Sequence, residues 1–280
     1  MSLQIDIIDF TKENAKNKFV KSLKNTGFAV LNNHQIDINL INTVYNEWAN
    51  FFNSKDKYDY MFDLEKQDGY FPMKSENAKG YSVKDIKEFY HIYLPWGRIP
   101  EQLSKNTLLI RSKLKSIGIE LLSWIDDLAP IDIKNNFSMP LQDMVEGCEN
   151  NLLRIIHYPP LRENDDKNAI RAAAHEDINL ITLLISGSEP GLQVLNENNN
   201  WVDVKSDPGW LIINIGDMLQ ECSNAYFPST THRVINPILN NNSRFSMPFF
   251  LHPRDEVILS KKHTAKTYLD ERLKELGLRK

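Results

Sequence analysis

Hydrophobic positions in the first half of the chain recur mainly at helical spacing. Residues 12 to 26 fit one helix that ends at Gly27, and the compact apolar run GFAVLNN is typical of a short strand ending in turn-forming asparagines. Apolar side chains across residues 38 to 52 and 110 to 128 fall at the three- and four-residue intervals of amphipathic helices, the second before Pro130. These patterns predict two long helices that buttress another layer.

The second half of the chain has a different hydrophobic pattern. From about Asn151 onwards, short apolar runs alternate with turns, which is the rhythm of an antiparallel barrel or sandwich. Two runs flank the polar loop NENNN, which fits a β-hairpin, and residues 264 to 276 fit a closing helix. We therefore predict a mostly β fold with flanking helices: an N-terminal helical and strand region (1–145) packing on the core, a β core (146–260) and a C-terminal helix (261–280), together one structural unit.

Composition narrows the possible partners. The 280 residues are 41% hydrophobic and 25% charged with a formal net charge of -4, which gives no electrostatic reason to expect nucleic acid or an anionic membrane. No window approaches the roughly 18 consecutive apolar residues of a membrane span, and the opening lacks the pattern of a signal peptide. We expect a cytoplasmic protein that binds a small molecule, with Cys148 and Cys222 as reduced thiols.

The segment AAAHEDINLITLL supplies a pair of metal-binding side chains. His175 and Asp177 stand two apart just before an apolar strand, and such residues in an extended chain project to the same face. His232 in STTHRVINP is the expected third ligand, because the intervening strands can bring it across a barrel. These three residues, the metal triad, leave positions open on the ion, which suits iron(II) that binds a cosubstrate and dioxygen. Isolated His-x-Asp pairs also arise by chance, so the assignment depends on its context.

A second pair follows in RFSMPFF. Arg244 and Ser246 are again two apart, so on a strand their guanidinium and hydroxyl groups face the same side. Arginine offers a planar fork that matches two carboxylate oxygens, and serine adds another donor. The pair indicates a carboxylate site, although a surface salt bridge is the competing explanation for Arg244 taken alone.

Several motifs occur together along the chain: GFAVLNNHQI, NLLRIIHYPP, HED, GLQVL, NIGDMLQECSN, THRVINP and RFSMPFF. With them the sequence resembles the isopenicillin N synthase-like branch of the 2-oxoglutarate and Fe(II)-dependent dioxygenases. The resemblance implies a double-stranded β-helix, or jelly-roll, core with helices packed outside and iron on the metal triad. It also implies that Arg244 and Ser246 hold the distal carboxylate of 2-oxoglutarate, joined by Tyr158.

The activity implied by this resemblance is hydroxylation, desaturation or cyclisation of a small organic substrate, with use of dioxygen and release of succinate and carbon dioxide. Two alternatives stay open. An oxidase of the isopenicillin N synthase type keeps the triad and the Arg-x-Ser pair without using 2-oxoglutarate. A non-catalytic jelly-roll protein would bind a metal and a small acid without turnover. Dinucleotide, P-loop and serine-hydrolase motifs do not occur in the sequence.

The remaining residues carry weaker expectations. Ile156 stands where many relatives have an asparagine that orients the cosubstrate. Tyr70, Tyr81 and Phe249 are expected to contact the substrate, by analogy with the family's pocket. Asn214 in NIGD is interpreted as a turn residue rather than a chemical one. The other five histidines are expected to be structural: 34, 91, 157, 252 and 263.

Overall fold

The computed structural model describes residues 5–76, 84–163, 165–166, 169–237 and 240–275. Within these ranges the chain forms twelve strands, seven α-helices and one 3-10 helix. In chain order they are β1 (Ile7–Asp9), α1 (Ala15–Thr26), β2 (Phe28–Asn32), α2 (Ile38–Asn53), the 3-10 helix (Lys55–Tyr60), β3 (Gly69–Phe71), β4 (Glu88–Ile92), α3 (Asn106–Leu128), α4 (Ile131–Lys134), α5 (Leu141–Met144), β5 (Leu152–Tyr158), β6 (Ala172–His175), β7 (Ile181–Ile185), β8 (Leu192–Leu195), β9 (Trp201–Asp203), β10 (Leu211–Ile215), α6 (Asp217–Cys222), β11 (His232–Val234), β12 (Arg244–Leu251) and α7 (Ala265–Glu275).

Two sheets form the centre of the molecule. The major sheet has eight strands in the order β1-β2-β10-β7-β12-β5-β4-β3, and the minor sheet has four in the order β6-β11-β8-β9. The first two strands are parallel, whereas β2 and β4 pair antiparallel with β10 and β5 of the second half. The N-terminal region therefore supplies both edges of the major sheet in addition to its helices. The boundary at residue 145 stays a prediction.

Strand alternation divides the apolar side chains into two layers. In β2, Phe28 and Val30 belong to an inner layer that includes residues of both sheets. Ala29 and Leu31 point the other way, into an outer core formed with the helices α1, α2 and α3. Trp48 of α2 and Leu114 of α3 are fully buried in this outer core. The helices predicted to buttress a layer thus cover the outer face of the major sheet, and the inner layer borders the barrel interior.

The helix predictions hold within a few residues. The first helix starts at Ala15, because residues 11 to 14 form turns, and it ends at Gly27 as predicted. Gly27 adopts a φ of 71°, and a Cβ there would lie 2.3 Å from Thr230 Oγ1, so only glycine fits this end of the helix. The second helix is capped by Asp37, whose carboxylate accepts a hydrogen bond from the backbone of Asn39 at 2.6 Å.

The predicted hairpin is confirmed. The NENNN loop connects β8 to β9, which pair antiparallel with Leu195 opposite Trp201. Cys148 and Cys222 are both buried and form no disulfide. Among the helices in the described parts of the chain, none combines the length and the apolar character needed to cross a membrane.

Candidate active site

The three residues of the metal triad come together in the structure. His175 ends β6 and His232 begins β11, and the two are paired across the minor sheet. Asp177 follows two residues after His175, and its Oδ1 lies 3.8 Å from Nε2 of His175 and 3.9 Å from Nε2 of His232. The ligand atoms of all three lie within 4.8 Å of one another. This group is therefore close enough to share one metal ion.

Backbone hydrogen bonds orient both imidazoles for ligation. Nδ1 of His175 donates to the carbonyl of Ala173 at 2.7 Å, and Nδ1 of His232 donates to the carbonyl of Thr230 at 3.1 Å. Each bond fixes the tautomer whose lone pair is on Nε2, the atom that faces Asp177. Burial and the neighbouring His232 lower the pKa of His175 to about 4. The His175 ring is therefore neutral near pH 7 and needs no deprotonation before it binds a metal.

The carboxylate of Asp177 is held by two hydrogen bonds. Its Oδ2 accepts from Thr182 Oγ1 at 2.5 Å and from Asn214 Nδ2 at 2.8 Å, which leaves Oδ1 free to face the histidines. Burial would raise the pKa of Asp177, but the two histidines and these hydrogen bonds keep it below its ordinary value. Thr182 and Asn214 are opposite each other on β7 and β10. Interpreting Asn214 as a turn residue was wrong, because it lies inside a strand and supports Asp177.

Replacing Asn214 with alanine should weaken iron binding by roughly 10- to 100-fold, the usual effect of removing a residue that orients a metal ligand. Metal titration of the purified variant would measure this. The matched control is Asn151→Ala, since Asn151 is also buried but its amide donates to the carbonyl of Cys148. If both variants bind iron as the unmodified protein does, Asn214 has no part in orienting Asp177.

The predicted carboxylate-binding site lies on two neighbouring strands. Arg244 on β12 is paired with Tyr158 on β5, and Ser246 is paired with Ile156. Because side chains alternate between the two faces of a sheet, Arg244, Ser246 and Tyr158 all point to the same face. The guanidinium carbon of Arg244 lies 5.1 Å from the centroid of the Tyr158 ring. All three members are buried.

The competing explanation for Arg244, a surface salt bridge, does not fit the structure. Its side chain is 2% exposed, and Nε donates to the backbone carbonyl of Glu189 at 3.0 Å. Nη1 is buried without a hydrogen-bond partner among the described residues. A buried charged donor without a partner is costly, so this group fits a pocket that receives an anion.

A cavity of about 90 Å³ lies beside Arg244. Its wall includes Ser186, Gly187, Glu189 and Ile212. Gly187 allows the arginine to sit there, since a Cβ would lie 2.4 Å from the carbonyl oxygen of Phe245 and 3.1 Å from Cζ of Arg244. This role was not predictable from the sequence, because Gly187 lies in the loop after β7, far along the chain from Arg244 at the start of β12.

Gly187→Ala should therefore weaken binding of a carboxylate at Arg244 and leave metal affinity unchanged. The added methyl group forces either the backbone at Phe245 or the guanidinium to move, and bidentate hydrogen bonds depend strongly on geometry. Parallel titrations with metal and with 2-oxoglutarate would measure both affinities. An unchanged 2-oxoglutarate affinity would show that the guanidinium position is not limited by this glycine.

Of the three residues expected to contact the substrate, the two that the structure describes pack in the outer core. Phe249 is fully buried in the outer core, on the face of β12 opposite Arg244 and Ser246. Tyr70 is also in the outer core, and its hydroxyl donates to Glu88 at 2.5 Å. Both side chains pack the interior, so we do not retain them as substrate contacts. Tyr81 lies outside the described residues.

The other histidines largely match the structural role expected of them. Four have hydrogen-bond partners within the protein: His34, His91, His157 and His263. His252 differs, because its buried Nδ1 has no partner in the part of the chain that the structure describes.

Comparison with known proteins decides the family. The sequence profile of the 2OG-Fe(II) oxygenase superfamily matches residues 149–253, and the profile of the N-terminal region of the non-haem dioxygenase in morphine synthesis matches residues 5–108. The chain belongs to the 2OG-Fe(II) oxygenase superfamily. This oxygenase therefore uses Fe(II) and 2-oxoglutarate, as the resemblance implied.

Several relatives of this 2OG-Fe(II) oxygenase are similar over nearly its whole length. A solved candidate oxygenase from Shewanella oneidensis is 51% identical with a TM-score of 0.89, covering 98% of this chain and 99% of its own. A full-length Neurospora crassa protein, solved with alpha-KG and 5-formyluracil, is 26% identical with a TM-score of 0.77, covering 96% and 95%. Gibberellin 2-beta-dioxygenase 1 from Pisum sativum is 28% identical over 90% of this chain and 77% of its own. The predicted jelly-roll fold is confirmed.

Proposed function

We propose that this oxygenase binds Fe(II) through the metal triad and the distal carboxylate of 2-oxoglutarate through Arg244, Ser246 and Tyr158. The observation that carries the second assignment is the buried Nη1 of Arg244, which has no partner among the described residues in a side chain that borders a cavity. A guanidinium with free donors can form two parallel hydrogen bonds to a carboxylate. Ser246 and Tyr158 lie on the same face and add hydroxyl donors.

The side chains of the triad suit the chemistry of the family. Two imidazoles and one carboxylate would hold an iron(II) ion and leave positions on it open for other ligands. When bound there, iron supplies the site at which dioxygen is reduced while 2-oxoglutarate is converted to succinate and carbon dioxide. The protein contributes fixed ligands, since Thr182 and Asn214 hold Asp177 and backbone carbonyls hold both histidines. A fixed arrangement positions the reacting groups without further reorganisation.

We propose that the prime substrate is a small organic molecule. The relatives support this class: one is named for a gibberellin and another was solved with 5-formyluracil. The low net charge of the chain agrees with it, because a nucleic-acid substrate favours a strongly basic surface.

The proposal is tested by measuring succinate together with dioxygen consumption for the iron-loaded protein in a screen of small organic substrates. We expect succinate to form only when 2-oxoglutarate, dioxygen and iron are all present. Dioxygen consumption with a substrate in the absence of 2-oxoglutarate, and without succinate, would instead identify an oxidase of the isopenicillin N synthase type. That result would overturn the role given to Arg244.

A further inference from the structure

Arg171 is a buried arginine without a hydrogen-bonded acidic partner among the described residues. It directly precedes β6 and is 1% exposed. Its Nη2 donates to the backbone carbonyl of Asn242 at 2.5 Å, and its Nε has no hydrogen-bond partner in the same ranges. The carboxylate of Glu189 interacts electrostatically with Arg171 and opposes the lowering of its pKa. A buried positive charge in this state is costly unless an anion balances it.

A second arginine lies against the same tyrosine. The guanidinium carbons of Arg171 and Arg244 are 5.9 Å and 5.1 Å from the centroid of the Tyr158 ring. Burial, followed by the charge of Arg244, lowers the pKa of Arg171 below its ordinary value. Within the described chain, each arginine also has one buried donor nitrogen without a partner. Two like charges, each with a buried donor that lacks a partner among the described residues, therefore lie against the same tyrosine of the predicted cosubstrate site, and of the two it is Arg244 that borders the cavity.

Burial alone does not indicate a ligand, as Arg111 shows. This arginine of α3 is also buried, its Nη2 donates to the carbonyl of Asn151 at 2.8 Å, and its Nε has no partner among the described residues. Its charged group lies 5.5 Å from the ring of Phe249. Burial lowers the pKa of Arg111, and no second cation of the described chain contributes to that shift. The neighbouring positive charge of Arg244, and not the burial, therefore distinguishes Arg171 from Arg111.

We propose that Arg171 acts with Arg244 as a second cationic residue for the distal carboxylate of 2-oxoglutarate, and that it makes the pocket selective for 2-oxo acids with a second carboxylate. This inference rests on the proposed cosubstrate site. An anion near Tyr158 would interact with both guanidinium groups and offset the repulsion between them. A 2-oxo acid with an apolar end would leave the repulsion between the two buried guanidinium groups without this compensation.

The inference is tested by comparing two ligands that differ only at the distal end. 2-Oxopentanoate has a methyl group where 2-oxoglutarate has its distal carboxylate. Affinities are measured by anaerobic absorption titration of the Fe(II) protein and by calorimetry on the Ni(II) protein, neither of which needs turnover. Arg171→Gln is expected to weaken 2-oxoglutarate binding by roughly tenfold to a hundredfold, the effect of losing a charged hydrogen bond. Binding of 2-oxopentanoate should change much less.

Arg111→Gln is the matched control and should leave the ratio of the two affinities unchanged. Equal weakening of both ligands by Arg171→Gln would assign Arg171 a structural role and overturn the inference, as would no weakening of either. If Arg171→Gln does not fold, Arg171→Lys provides the same comparison, since it keeps the charge but loses the planar fork. Failure of the unmodified protein to bind 2-oxoglutarate would overturn the cosubstrate site itself and this inference with it.

Discussion

Alanine in place of His175, Asp177 or His232 is expected to abolish iron-dependent turnover and leave the fold intact. Each variant removes one of the three proposed protein ligands, so the loss should exceed the roughly 10- to 100-fold effect typical of residues that only orient a ligand. Succinate formation and the iron content of each purified variant measure the outcome. Circular dichroism spectra and melting temperatures check that the variants are folded.

The control for these variants is His263→Ala. His263 is a partly buried histidine that interacts with Glu221 and Glu271 away from the triad. It should retain iron and activity. Full activity in His232→Ala would contradict the metal assignment, and so would Ni(II) or Co(II) bound elsewhere in the protein.

Arg244→Lys is expected to raise the 2-oxoglutarate concentration required for turnover by roughly tenfold to more than a hundredfold. Lysine keeps the positive charge but loses the planar fork, and charged hydrogen bonds are worth about 1.5 to 3 kcal/mol each. Ser246→Ala should have a smaller effect, because it removes one neutral donor. The measurement is succinate formation against 2-oxoglutarate concentration, with iron content confirmed equal in all three proteins.

The expected effect of Arg244→Lys is specific to the cosubstrate. The requirement for the prime substrate should change less, and Arg111→Lys, at a buried arginine outside the site, should change neither requirement. If the Arg244→Lys variant requires the same 2-oxoglutarate concentration as the unmodified protein, Arg244 does not bind the distal carboxylate.

The strands with long apolar runs were predictable from the sequence, and the strands that hold the histidines of the metal triad were not. The run LLRIIHY coincides with β5, because seven residues are enough to show both its apolar character and its ends. In contrast, β6 has four residues and β11 has three. Such short strands carry too few side chains for a period to be visible. The histidines were found through their spacing and the family motifs instead.

Tertiary contacts explain the other differences between the sequence-based predictions and the structure. Asn214 donates a hydrogen bond to Asp177, and Arg171 packs near Tyr158. No local pattern reveals either contact, although an asparagine within the apolar run WLIINI is a usable signal of a buried polar contact. The placement of Phe249 was predictable. It lies 249 − 244 = 5 residues after Arg244 on one strand, and an odd separation puts two side chains on opposite faces.

The central claim is that one site binds Fe(II) on the metal triad and 2-oxoglutarate between that iron and Arg244. The most direct test is anaerobic addition of 2-oxoglutarate to the Fe(II) protein while the visible absorption spectrum is recorded. We expect a weak charge-transfer band that saturates with 2-oxoglutarate in the unmodified protein, needs a higher concentration in Arg244→Lys and is absent in His232→Ala. Saturating 2-oxoglutarate that produces no band in the iron-loaded unmodified protein, or an equal band in His232→Ala, would contradict the account.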